Sequence, residues 1–211
     1  MRIRSSAINT LIISAVLAIA ALALALLGAG MKFNFGAGAT MDYPAFLLAI
    51  LAAVLFSFAF GWMRYDLPSA LSLGFAALHD LLLALALTSL LSNLFGLSSL
   101  TPALLIAGLS FTYCLTIPML REARNIAKGT SLREMTREQV AEKALGNTRS
   151  LALLTSAAGV ILLLAFIVSG NMNMLGAVMP LLASLAAALF SAHFITPFIW
   201  AAFIARRKAK K

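Results

Sequence analysis

Of the seven acidic residues in the chain, only Asp80 falls inside a long apolar run, while Asp42, Asp66, Glu122, Glu134, Glu138 and Glu142 all fall between such runs. An ionised carboxylate at the centre of a bilayer costs roughly 2.5–3.5 kcal/mol on insertion scales, so a residue of this kind is expected to face the interior of a helix bundle. Ser72, Ala76, Asp80, Ala84 and Thr88 recur every four residues, which places small and polar side chains on one helical face and permits close helix approach. His79 is adjacent and is expected to point about 100° away around the helix. His193 is then the one other titratable side chain that can meet Asp80, since no Lys or Arg lies within an apolar run. Two kinds of chemistry fit: a proton relay through Asp80, or a neutral carboxyl bonded to hydroxyls of a neighbouring helix. Lacking a charged partner, the second is preferred.

The hydroxyls are available. Thr112 and Thr116 follow Gly108 at four-residue spacing, Thr155 stands between Leu151 and Gly159, and Ser184, Ala188, Ala192 and Thr196 follow Pro180. These stripes read first as packing seams between helices. Metal and cofactor chemistry find little support, because a single cysteine (Cys114) and two histidines cannot assemble the usual ligand sets. No Ser–His–Asp set, Cys–His pair or paired intramembrane acid suggests converging catalytic groups, so no enzyme is expected.

The elements that carry these residues follow from composition. Of 211 residues, 62% are hydrophobic and 11% charged, whereas an average soluble domain is about a quarter charged. A span needs about 20 apolar residues, and six such runs are expected: 8–30, 43–62, 69–91, 99–120, 151–169 and 177–205. Alternating ten-residue patterns of the barrel kind are absent. Fifteen of the sixteen lysines and arginines then fall on the side of the N-terminus, with Lys32 alone opposite, so both termini are expected to be cytoplasmic. This distribution accounts for the net charge of +9 without any nucleic-acid partner. The first run is longer than the roughly 7–15 residues of a cleavable signal and reads as an uncleaved anchor.

One polar segment of any size is left, residues 121–150, expected as a cytoplasmic amphipathic connector at the membrane surface. Thr130–Ser131 with Glu134, and Thr136 with Gln139, have the spacing of capping boxes. Leu132, Met135, Val140 and Ala144 supply an apolar face, and Gly146 can end the helix. Pro118 and Pro197 are expected to kink helices near their ends. Taken together, residues 1–211 read as one all-α integral membrane domain in the lipid bilayer.

The turn and helix from Phe60-Gly-Trp-Met-Arg-Tyr-Asp through Ala77-Leu-His79-Asp80 resemble the basic-aromatic turn and Ala-Leu-x-His-Asp motif of the SecD/SecF family, and of SecF in particular, an auxiliary subunit of the bacterial Sec translocase. Asn34-Phe-Gly-Ala-Gly-Ala-Thr40 is similar to a segment after its first span. Arg121-Glu-Ala-Arg-Asn125 and Lys128-Gly-Thr130 resemble its Arg-x-Arg-Glu-Asn and Arg-Gly-Thr elements. Ala144-Leu-Gly-Asn-Thr148, Leu154-Thr-Ser156 and Ser191-Ala-His-Phe-Ile-Thr-Pro197 resemble elements of its fifth and sixth helices. The motifs run in family order over nearly the whole chain.

The resemblance implies a six-helix bundle of the kind shared with resistance-nodulation-division (RND) exporters, in the bacterial inner membrane. It also implies a SecD-like partner and the Sec channel, and a role supporting protein export or membrane insertion. Two departures alter the expectation. Residues 31–42 stand where the family has a folded extracytoplasmic domain. Tyr113 and Leu151 stand where the family has an Asp implicated in proton conduction and an Arg. Loss of both together avoids stranding a buried charge, so the expected subunit is a scaffold without proton coupling. The alternative is a small proton-coupled RND-type exporter that uses Asp80.

Overall fold

The computed structural model describes residues 43–91, 100–129, 135–169 and 175–208, and among these the regular structure is entirely helical. The elements are α1 (Tyr43–Arg64), α2 (Leu67–Leu91), α3 (Thr101–Ala107), α4 (Leu109–Lys128), α5 (Arg137–Ser169), α6 (Leu175–Phe194) and α7 (Thr196–Lys208). Among the described residues, four segments are long and apolar enough to cross a membrane: Leu67–Leu91, Thr101–Lys128, Arg137–Ser169 and Leu175–Ile204. α1 adds a shorter apolar stretch, Leu48–Arg64. The expected span 8–30 lies outside the described residues, as do Asn34–Thr40 and the expected capping box at Thr130–Glu134.

Local sequence sets most boundaries. Asp66 caps α2, its Oδ1 accepting the Ser69 backbone N–H at 2.9 Å, with Pro68 in the first turn where a missing donor costs nothing. α5 opens with a reciprocal cap: Thr136 N–H donates to Gln139 Oε1 at 2.8 Å, and Gln139 N–H to Thr136 Oγ1 at 3.3 Å. The expected span 99–120 is divided at Gly108 and extends to Lys128. Pro118 therefore lies well inside α4 rather than near its end. The last expected span, 177–205, is divided at Ile195. That break falls two residues before Pro197, which has no N–H to donate to the His193 carbonyl and whose ring crowds it.

The boundary expected at 150/151 does not exist. α5 begins at Arg137 and runs unbroken through Gly146 to Ser169, so much of the expected connector is helix continuous with the neighbouring spans. Tertiary burial explains the difference. Val140, Ala141 and Ala144 pack into one apolar cluster with Leu73, Met119, Leu120, Ala123, Trp200 and Ala201, which outweighs the roughly 1 kcal/mol a glycine costs inside a helix. Gly146 is on the open side, where an added Cβ would meet nothing.

α2 is the hub, packed against α1, α4, α6 and α7. Its buried face is built of Ser69, Ala70, Ser72, Gly74, Ala76, Ala77, Asp80 and Ala84, small groups that let backbones approach where no hydrophobic force drives helices together. Two glycines serve the same purpose. A Cβ on Gly61 would lie 2.7 Å from the Cα of Ala70, and one on Gly108 would collide with the Ser184 side chain of α6. Large apolar side chains are turned outward on α5 (Leu154, Ile161, Leu162, Val168) and on α1 (Leu51, Leu55, Phe56, Trp62). A soluble monomer rarely exposes so much contiguous oil, and in a bilayer this surface faces acyl chains.

Candidate functional site

Asp80 sits halfway along α2 and is 2% exposed. Its carboxyl joins three helices. Thr112 of α4 donates its hydroxyl to Asp80 Oδ2 at 2.7 Å, and Ser191 of α6 donates to the same oxygen at 2.8 Å. Nδ1 of His79 lies 3.2 Å from Oδ1. The hub helix thus holds one polar tie to each of two partners at one level of the bundle. Two hydroxyl donors on one oxygen stabilise either a carboxylate or the carbonyl oxygen of a neutral acid. The imidazole and Oδ1 can share one proton between them, with the direction set by the tautomer.

Both histidine expectations need correction. His79 does not point away from Asp80. The 100° separation applies at Cβ, and two side chains three bonds out close that gap. The ring also stacks on Phe190 of α6, with centroids 6.2 Å apart and planes at 22°. His193 does not meet Asp80; its Nδ1 lies 3.0 Å from the Leu189 carbonyl of its own helix. The reason is register. Ser191 is the α6 residue aimed at Asp80, and two positions on, the helix has turned about 200°.

Tyr113 is half-buried, and its hydroxyl lies 2.7 Å from Ser57 Oγ on α1. Ser57 in turn donates to the Ala53 carbonyl at 2.7 Å, which leaves Tyr113 as donor to Ser57. Leu151 stands on α5 and is 50% exposed. Thr116 is fully buried, and its hydroxyl has no hydrogen-bond partner among the described residues. Thr155 is half-buried, while its neighbour Ser156 is the buried hydroxyl there, bonded to the Ala152 carbonyl at 2.6 Å. The structure therefore brings together Asp80, His79 and Thr112, and leaves His193, Leu151 and Thr155 elsewhere.

Two residues that complete the ties, Ser191 and Ser57, escape a reading of residue types. Ser191 follows Ser184 and Ala188 at spacings of four and three, a signal that a stripe drawn only every four residues passes over. Ser57 is the sole hydroxyl in α1 outside its first residue.

At the end of the bundle carrying the α1–α2 turn, Arg124 of α4 closes the architecture. Its Nε lies 3.9 Å from Asp66 Oδ2, its guanidinium lies 5.9 Å from the Tyr65 ring centroid, and Nη1 reaches the Arg64 carbonyl at 3.5 Å. Asn147 of α5 donates to Glu122 of α4 at 2.8 Å. Among the described residues, no group of three His, Cys, Asp or Glu side chains is placed to hold a metal ion.

The family model described as "Protein export membrane protein SecD/SecF, C-terminal" matches residues 38–206. Comparison with curated proteins and with solved structures gives no match.

Proposed function

The chain belongs to the SecD/SecF family of protein export membrane proteins, and from that premise we propose that it is a SecF-like scaffold subunit of the bacterial inner membrane, working without proton coupling. The observation that carries this reading is the family match over most of the chain, 38–206. In this reading residues 1–211 form one domain with six crossings and both termini in the cytoplasm. It pairs with a SecD-like protein and engages the Sec channel, supporting export or membrane insertion.

The lack of coupling is supported by the substituted positions. Where the family carries an acid, Tyr113 ties α4 to α1 through Ser57; where it carries a base, Leu151 is half exposed on α5. Neutral groups at both places leave no ion pair to break and reform during a transport cycle. Asp80 then serves as a structural tie, satisfied by Thr112 and Ser191.

Affinity purification of the tagged full chain from its native membranes tests the partner assignment. Recovery of a SecD-like protein together with Sec channel subunits is expected; recovery of neither removes the proposal's main support. The observation on the side of a proton-coupled exporter is the buried His79–Asp80 contact, and it is separable by flux measurement, because a coupled exporter must lose transport when Asp80 is made Asn.

A further inference from the structure

Buried hydroxyls in membrane helices ordinarily satisfy themselves on the carbonyl four residues back, as Ser72, Ser156 and Ser184 do here. Four polar atoms depart from that habit on one side of Asp80. The hydroxyls of Ser69, Thr116 and Thr196 and the indole Nε1 of Trp200 are buried, with no hydrogen-bond partner among the described residues. Their places in the fold are related. Thr116 is one turn along α4 from Thr112, and Thr196 is just beyond the α6 break that follows Ser191. Trp200 is one further turn along α7, and Ser69 is one turn from Leu73 on α2. Leu73, Met119, Leu120 and Trp200 share one cluster with Val140, Ala141 and Ala144 of α5, so the faces that carry the four atoms, each within a turn of a cluster residue, converge where α2, α4, α5 and α7 meet. With a rise of 1.5 Å per residue, Thr116 and Thr196 stand about 6–8 Å from the level of Asp80, and Trp200 about 13 Å. At about the same level α2 carries the small, fully buried side chains of Ala76 and Ala77.

The other side of Asp80 is different. There Ala84, Leu105, Ala183 and Ala187 form an apolar cluster, and Leu81 and Leu109 pack with Ala77. Thr88 is the unpartnered hydroxyl in that half among the described residues. Orphaned polar atoms are expensive, at about 1–3 kcal/mol each, and a buried water with two to four polar neighbours is the usual remedy.

We propose that Thr116, Thr196 and Trp200 bind a short file of water molecules running from the Asp80–Thr112–Ser191 junction toward the α1–α2 turn. The donor and acceptor inventory closes. The indole donates to the file, the Thr116 and Thr196 hydroxyls both donate and accept, and at its head the hydroxyl oxygens of Thr112 and Ser191 keep acceptor capacity while donating to Asp80. Ser69 extends the line toward Asp66 and Arg124. This hydration is independent of the scaffold role, since water reaching Asp80 from one side crosses nothing.

The two tryptophans supply the test. In the full chain, indole-nitrogen-labelled and held in lipid nanodiscs, two indole N–H signals are expected, with Trp62 identified by its loss in Trp62→Phe. Trp200, 1% exposed, is expected to show magnetisation transfer from water; Thr116→Val removes one hydrogen bond of ordinary strength and weakens that transfer by about fivefold. A Trp200 signal with no contact to water in the native chain overturns the proposal. So does an unchanged signal in both Thr116→Val and Thr196→Val.

Discussion

Two hydroxyls share one oxygen of Asp80, so their contributions are coupled. Thr112→Val and Ser191→Ala are each expected to destabilise the chain by about 0.6–1.7 kcal/mol, from the average to the largest value measured for interhelical hydrogen bonds in a membrane protein. The double variant is expected to cost more than the sum, because in each single variant the remaining donor tightens and offsets part of the loss. Unfolding of the four chains in one lipid system, arranged as a double-mutant cycle, checks this. Strict additivity would show that the two hydroxyls do not act on a common group. At Tyr113 the expectation concerns charge. Tyr113→Phe loses one hydrogen bond to Ser57 and costs about 1 kcal/mol, whereas Tyr113→Asp places an unanswered carboxylate among Ala77, Leu81 and Leu109 and costs about 3–5 kcal/mol. Adding Leu151→Arg is not expected to rescue it, since Leu151 stands on the exposed side of α5. Full rescue, read from the same unfolding measurements, would show that the two positions still face each other.

Helix identity was legible wherever an apolar run was long, because no other element satisfies its backbone in lipid. What escaped was where helices continue past such runs. α4 and α5 extend into a charged segment, and the apolar face legible at Val140 and Ala144 does not announce that these residues and Ala141 share a buried cluster with Trp200. That information is tertiary. The intramembrane acid and its small-residue face were equally legible, since cost and period mark them. Its partners were only half so: Thr112 was on a marked stripe, while Ser191 and the contact with His79 depend on register and on side-chain reach. Close backbone approach gives a sharp expectation for elements. Gly108→Ala drives a methyl group into Ser184, and overpacking of this kind costs about 1–3 kcal/mol. Ser184→Gly in the same chain removes the obstructing atoms and is expected to restore most of that loss. Thermal unfolding of the single and double variants decides it, and an undiminished loss in the double variant would place the strain elsewhere.

As a whole, the molecule is a hub helix with partners fastened to it at two depths: the Asp80 junction in the middle, and the Arg124 contacts with Arg64, Tyr65 and Asp66 at the basic end. Both join neighbouring elements, and the proposed reading adds that Tyr113 and Leu151, neither of them charged, stand where the resemblance puts an acid and a base. The proposed scaffold role takes these ties as support for a partner rather than as parts of a transport cycle. Proton flux into vesicles containing the full chain, measured under an imposed membrane potential and pH gradient for the native protein and for Asp80→Asn, tests this most directly. Equal rates, both matching protein-free vesicles, are predicted; a native flux that Asp80→Asn abolishes would contradict the account.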